Sequence, residues 1–567
     1  MRRTLWNRRV HEIAPDEIFL DSSNLPGYNA KQFEGRVARP VALRSIIAVG
    51  VVFIAVVSLF SFRAYSLGVA RGALYADISE NNTLDKNIIF ATRGVIYDRT
   101  GVELAWNVAQ ASTTNATSSM FALRRYTRMP GLSHVIGFLQ YPKADAKGAW
   151  WREEYSGVSG VELSHDEQLK GTNGHTMVER DAHGKVEREN IVTPPISGDD
   201  LRLAIDADVQ SKLYVTLLQH ANTMRFQGGA AVIMDVRTGE VLALTSFPEY
   251  DHQAFTDGIS EGVSAAYRSS RTPLLNRAVS GLYTPGSIVK PIFAAAALNE
   301  NLINPDTQIH STGALTLPNA YDPARPSIFR DWAVHGWVDM RTAIAVSSDE
   351  YFYVIGGGFG GQKGLGIGKI DEYARRFGLA TTTGIDLLGE KVGVIPTPEW
   401  KAFVFGEDDP WRVGDTYHTV IGQYGFLITP LQAVRFIAAV GNGGKLMVPR
   451  LELGAAPSYV EIGIPDEYLQ IVREGMRMAV VTTRSEATVK ALNIGGIKIA
   501  AKTGTAQLGV RNEYMNSWSV GFWPADNPHY AYAVVLENAP AGTASGAAPG
   551  LVPFFQWLIS EKPQYIE

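Results

Sequence analysis

The sequence predicts an α+β fold over its C-terminal part, an antiparallel sheet flanked by helices. A smaller mixed α/β domain and one membrane-anchor helix precede it. Three observations carry this. Strand-prone runs stand at both ends of the region 201–567, with helical stretches between them. Residues 88–200 mix short strand patterns with turn signals. Residues 45–62 are eighteen residues without a charge, bounded by Arg44 and Arg63, just long enough to span a bilayer.

The chain has 567 residues, more than one domain's worth. Its 46% apolar and 19% charged content is enough for a sizeable core. The net charge of −5, with no basic face, excludes a nucleic-acid binder. The absence of cysteine excludes disulfides, thiol catalysis and cysteine-ligated zinc.

Residues 1–42 are polar and punctuated by Pro and Gly, which predicts a flexible cytoplasmic tail with one hydrophobic patch at Ile18–Leu20. The apolar run predicts a transmembrane helix over 43–63. It begins too far into the chain for a signal peptide, and no small-residue cleavage site follows. Arg2, Arg3, Arg8, Arg9, Lys31, Arg36, Arg39 and Arg44 precede it, against Arg63 and Arg71 just after. That excess places the N-terminus inside and the rest of the chain outside the membrane. Residues 64–90 read as a helix leaving the membrane, then a polar turn at Asn81-Asn82. Together with the mixed region they make a domain over 64–200.

Within 201–567, "AAVIMDV" (230–236), the turn "RTGE" and "VLALTSF" (241–247) predict a hairpin. "SWSVGFW" (517–523) and "HYAYAVVLE" (529–537) are two further strands, and 287–299 and 430–441 are helical. "GGGFGG" (356–361) matches a dinucleotide fingerprint, but the preceding "SSDEYFYVIG" reads as a helix, not the strand that fingerprint needs. "GIGK" (366–369) lacks the first glycine and the Ser or Thr of a phosphate loop.

The chemistry gathers at "YTPGSIVKP" (283–291), where Ser287 stands one helical turn before Lys290. A serine hydroxyl is a poor nucleophile until a base takes its proton. Burial and a second cation make a lysine neutral enough to serve. Alone, the S-x-x-K spacing recurs by chance roughly once or twice in such a chain, and a helix cap beside a solvated lysine accounts for it. Two further stretches change the balance: "AVSSDEYFY" with Ser347 and Asp349, and "AAKTGTAQ" with Lys502, Thr503, Gly504 and Thr505. A K-T-G triplet arises by chance in roughly one such chain in ten. Gly504 removes a side chain where a ligand backbone approaches. S-x-x-K, S-x-[DN] and K-T-G in this order are the set of serine acyl-transfer enzymes that react with penicillin.

With these triplets the chain resembles the class B penicillin-binding proteins, peptidoglycan D,D-transpeptidases, over most of residues 88–540. "ATRGVIYDRTGVELAWN" (91–107) and "SGVSGVELSHDEQLKGTNG" (156–174) resemble the family's two pedestal motifs. "NRAVSGLYTPGSIVKP" (276–291), "GIDLLGE" (384–390), "PTPEW" (396–400) and "TPLQ" (429–432) also fit. The resemblance implies the penicillin-binding serine-transpeptidase fold, with a pedestal over 64–200 and a transpeptidase domain over 201–567. It implies Ser287 as the acylated nucleophile, Lys290 as its base and Ser347 as proton relay to the leaving amine. Asp349 would bond Lys290 or the substrate amide. Lys502 would dispose the basic pair and attract the substrate carboxylate, with Thr503 and Thr505 as hydroxyl donors. The N–H groups of Ser287 and Thr505 would form the oxyanion hole.

The implied reaction is attack on a D-Ala-D-Ala stem peptide, loss of D-Ala and transfer to a neighbouring amine, with β-lactams as inhibitors. A D,D-carboxypeptidase, a β-lactam hydrolase and a non-catalytic scaffold are the alternatives. The implied partner is a SEDS-type glycan polymerase. Two departures stand out. Tyr424 in "IGQYGFLITP" takes a glycine's place, and the link from membrane to catalytic domain is short for a full pedestal. "FRDWAVHGWVDM" (329–340) and the Asp form of the second motif resemble the elongation-type penicillin-binding protein 2. Some such relatives carry zinc here on a set that includes cysteine. With none, Asp331 and His335 give at most two ligands, so no cofactor or metal is expected and His335 is expected to bond backbone.

Overall fold

In the computed structural model, an apolar helix α1 (Leu43–Tyr65) is long enough to cross a membrane, and none of its residues is buried. The structure describes residues 42–73, 84–109, 121–146, 149–180, 186–319, 322 and 324–566. Apart from Ala42, the expected tail lies outside them, as do the turns at Asn81-Asn82 and His183-Gly184. The chain divides into two units, Met1–Asp85 with Glu179–Arg188, and Lys86–Val178 with Glu189–Glu567. The helix expected to leave the membrane continues α1 as a π-helical turn at Ser66–Ala70, and Leu84–Ile89, past the expected turn in sequence, is a strand. The β-branched pair Ile88-Ile89 favours the extended form.

In the second unit the N-terminal part builds a small sheet from β1 (Ile96–Tyr97), β2 (Glu103–Val108), β3 (Leu123–Tyr126) and β4 (Leu201–Arg202), in the order β4-β1-β2-β3. A short helix α2 (Gly160–Ser164) carries Glu162 beneath it. Glu162 accepts from Arg93 Nε (2.6 Å) and Arg124 Nε (2.8 Å), and all three side chains are 0% exposed. Arg93 also pairs with Asp166 (2.7 Å). The two stretches that resemble pedestal motifs therefore meet through charge. From the first of them Asp98 accepts from Thr100 N, Val102 N and Ala207 N, tying the small sheet to the next helix.

That helix is α3 (Ala207–Met224), capped by Asp206. It leads into the hairpin β5 (Gly228–Asp235) and β6 (Val241–Phe247). The chain then runs through a helical region: α4 (Lys290–Asn299), α5 (Met340–Val346), α6 (Asp349–Gly357), α7 (Val413–Val420), α8 (Pro430–Gly441) and α9 (Asp466–Val481). It returns as β7 (Ala500–Leu508), β8 (Tyr514–Trp523) and β9 (Tyr530–Pro540), and α10 (Val552–Glu561) follows. The main sheet is antiparallel, in the order β6-β5-β9-β8-β7. The strands expected at both ends thus pair in the middle, β5 against β9, and β7 is left at the edge.

Helices cover both faces of this sheet, so β5 and β6 are buried at every position. Alternation sorts the side chains. Ala230, Val232 and Met234 enter one core with Ala531, Ala533 and Val535, while Ala231 and Ile233 enter the other with Tyr532, Val534 and Leu536. α8 lies fully buried against β5, β8 and β9, started by Pro430 and a capping box between Thr429 and Gln432. α4 is buried from Lys290 to Leu298, with α5, α6 and α9 around it. Its run of four alanines admits that close packing. "GGGFGG" ends α6 and "GIGK" lies in the helix Gly366–Arg376, so neither is a nucleotide loop.

Removing a carboxylate that serves two buried guanidinium groups strips Arg124 of its carboxylate and leaves Arg93 with Asp166 alone. Glu162→Ala is expected to cost about 3–5 kcal/mol in denaturant unfolding. A loss under about 1 kcal/mol, the worth of an exposed pair, would contradict this account of the small sheet.

Candidate active site

Ser287 stands half-buried on a 3-10 turn, Gly286–Val289, that runs directly into α4. The sequence predicts one α-helix over 287–299. The first turn is tighter because Pro291 has no N–H to give the Ser287 carbonyl, which takes the Lys290 N–H instead. Gly286 bends the chain at φ 56°, and a Cβ there would lie 2.8 Å from Thr505 O. The turn is fixed from two sides: Gly286 N donates to Gly422 O (2.9 Å) and Trp518 Nε1 to Thr284 O (3.0 Å).

The edge strand β7 runs against this turn. A Cβ on Gly504 would stand 2.6 Å from Pro285 O and 3.2 Å from Ile288 N. Gly504 therefore makes room for the protein's own backbone, not for a ligand's as the sequence alone led us to expect. Two residues before it, Lys502 is fully buried. Its Nζ donates to Ser347 Oγ (2.7 Å) and Thr503 O (2.8 Å). Thr503 Oγ1 donates to Thr488 Oγ1 (2.7 Å), while Thr505 is exposed and its carbonyl accepts from Gln423 Nε2 (3.4 Å). Thr488 and Gln423 carried no sequence signal: one lies on an irregular loop, the other beside the displaced glycine.

Lys290 is also fully buried. Its Nζ donates to Asp349 Oδ1 (2.6 Å), Ser347 O (2.7 Å) and Ser347 Oγ (3.3 Å). Ser347 ends α5 in a left-handed conformation, φ 59°, which costs a non-glycine residue about 1–3 kcal/mol. The next residue, Ser348, caps α6 by accepting from Tyr351 N (3.2 Å). Ser347 and Asp349 so flank a sharp corner between two helices, and both reach Lys290.

One hydroxyl thus bridges two buried amines. Burial first, and then the charge of Lys290, pushes the Lys502 amine well below the usual lysine range, with Asp349 opposing. A buried amine of this kind can take up a proton. Tyr424 is accommodated at φ 62°, its ring stacked with Phe405 and His418 and met edge to face by Trp400 and Trp411. His335 Nε2 faces Asp331 Oδ1 at 3.4 Å, which corrects the expectation of a backbone partner. Among the described residues no three His, Asp or Glu side chains converge as a metal set would.

Two family models match the chain: the penicillin binding protein transpeptidase domain over residues 229–552, and the penicillin-binding protein dimerisation domain over 118–203. A peptidoglycan D,D-transpeptidase MrdA of Acinetobacter baumannii is 34% identical over 77% of this chain and 66% of its own length. The MrdA of Escherichia coli is 30% identical over 85% of this chain and 89% of its own. A chain solved in a study of how a peptidoglycan synthase complex coordinates polymerization and crosslinking shares the fold at TM-score 0.69 and 26% identity. It covers 92% of this chain, and this chain covers 98% of it. Architecture, motifs and relatives agree, and the chain belongs to the penicillin-binding protein family of peptidoglycan D,D-transpeptidases.

Proposed function

We propose that Ser287 is the acylated nucleophile of this transpeptidase and that Lys290, Ser347 and Lys502 act as one proton-sharing unit. The observation that carries this is the Ser347 hydroxyl lying between two fully buried lysine amines, one of them a turn from Ser287. Neutral Lys502 takes the proton of Ser347, and Ser347 takes one from the Lys290 ammonium. Lys290, so freed, accepts the proton of Ser287 as its Oγ attacks the penultimate D-Ala carbonyl. The sequence reverses to protonate the departing D-Ala amine, and an amine on a neighbouring stem then attacks the ester. The oxyanion is held by the N–H groups of Ser287 and Thr505, near the N-terminal end of α4. Asp349 pairs with Lys290 at 2.6 Å, so the cation that remains is neutralised without leaving the site. Thr503 and Thr505 line the edge of β7 for the substrate carboxylate.

The chain is read as a cytoplasmic tail (1–42), a transmembrane helix (43–63), a juxtamembrane and pedestal region (64–200) and an extracytoplasmic transpeptidase domain (201–567). The basic excess before α1 supports that orientation. The relatives' names support the penicillin-binding protein 2 subfamily. The likeness to a chain of a peptidoglycan synthase complex supports a glycan polymerase of the SEDS type as partner, met through α1 and the pedestal.

Penicillin should add one acyl group to the protein, and peptide mapping should place it on Ser287. In Ser287→Ala the adduct disappears, and retained labelling would contradict the assignment. With stem peptides the product should be a cross-linked dimer, whereas a trimmed monomer would mark a carboxypeptidase. The neutral form of Lys502 grows as pH rises through its lowered pKa, so acylation should climb along that limb and then level off. Lys502→Arg cannot become neutral and should lose the limb and about 10²–10⁴ in rate. An unchanged pH profile in a variant that keeps its unfolding midpoint would remove Lys502 from the proton path.

A further inference from the structure

The loop Asp331–His335 lies behind the Ser347-Ser348-Asp349 corner. The side chain of Asp331 is fully buried and both of its oxygens are occupied. Oδ2 accepts from Ser348 Oγ (2.8 Å) and Glu350 N (2.9 Å). Oδ1 accepts from Trp332 N (2.8 Å) and faces His335 Nε2. The next residue, Trp332, donates its indole N–H to Ser347 O (3.3 Å), the carbonyl that also accepts from Lys290 Nζ. The far end of the loop is tied down by Arg484 Nη2, which donates to His335 O (2.6 Å). Every residue of the corner is therefore gripped. Ser347 is held by its carbonyl, Ser348 by its hydroxyl, and the start of α6 by an N–H.

A zinc ion does not fit here. It needs three or four ligands, and this loop supplies two, which face each other. One of them already spends its oxygens on O–H and N–H donors. The corner nevertheless needs support, because its serine sits in a left-handed conformation between two helices.

We propose that Asp331 and Trp332 are positioning residues of the acyl transfer: a metal-free clamp that holds Ser347 and Asp349 around Lys290. The clamp acts through Lys290 and not on substrate. Its loss therefore slows the chemical step and leaves penicillin recognition intact. Burial works against the charge of Asp331, but the bonds from His335 and Glu350 N and the charge of Lys290 prevail and hold its carboxyl at about 2. The acceptor is thus an anion at working pH.

This inference rests on Ser287 as nucleophile, and the test separates the two. The full-length protein in detergent is acylated with a fluorescent penicillin, and the dissociation constant and the first-order acylation rate are measured separately. Trp332→Phe removes only the indole N–H, and the rate should fall about tenfold, the worth of one hydrogen bond, with the dissociation constant unchanged. Asp331→Asn turns one acceptor oxygen into a donor, and the rate should fall about 10²-fold, as for a catalytic group displaced by an ångström. Ser348→Ala deletes the hydroxyl that bonds Asp331 and caps α6, leaves the loop's own residues intact, and should fall between them. Dialysis of the parent protein against a chelator should leave its rate unchanged. Parent-like rates in all three variants overturn the clamp, as does a change confined to the dissociation constant. A parent rate that is lost on chelation and restored by zinc overturns its metal-free character. If the parent protein is labelled elsewhere than Ser287, the nucleophile assignment fails instead.

Discussion

Everything at the site depends on how closely the edge strand β7 approaches the turn that carries Ser287. Two backbones meet there with no side chain between them, because Gly504 faces Pro285 O and Gly286 faces Thr505 O. A Cβ on either would force strand and turn apart. The contact sets the position of Lys502 two residues along the strand, and with it the reach of its amine to Ser347. The sheet holds β7 only along one edge, and the turn that carries Ser287 packs against the strand.

The second constraint is electrostatic. Two lysine amines are buried beside one hydroxyl, and two buried cations with one anion cannot all keep their charge cheaply. Asp349 answers for Lys290 through the 2.6 Å pair. Among the described residues Lys502 has only a hydroxyl and a carbonyl as hydrogen-bond partners, and its amine is driven toward neutrality. A site that is costly to fold thereby holds an amine that binds its proton less tightly than an ordinary lysine. The Asp331 carboxylate, the capped start of α6 and the packing of α4 keep that arrangement rigid, so the cost is met by the surrounding core.

Much of this was legible in the chain. The four strands at the two ends were readable from their β-branched and aromatic runs, and α8 as the helical stretch 430–441, which starts on a capping box between Thr429 and Gln432. The three triplets marked the residues that converge, although 57 residues separate Lys290 from Ser347 and 155 separate Ser347 from Lys502. What stayed hidden is what only tertiary contact decides. The tight first turn before α4 follows from the missing N–H of Pro291, a local signal that a 3.6-residue pattern passes over. The purpose of Gly504 could not be read, because the backbone it accommodates lies over two hundred residues away in sequence. Asp331 stood out in the sequence only as half of a metal pair, since its real partners, Ser348 O–H and Glu350 N–H, carry no composition signature.

The measurement that bears most directly on this convergence is a crystal structure of the protein after reaction with penicillin. The account predicts an ester on Ser287 Oγ, its carbonyl oxygen within hydrogen-bond distance of the Ser287 and Thr505 N–H groups, and the Lys290–Ser347–Lys502 chain unbroken beside it. An acyl group on any other residue would contradict it. So would a carbonyl oxygen turned away from those two donors while β7 stands off from the turn.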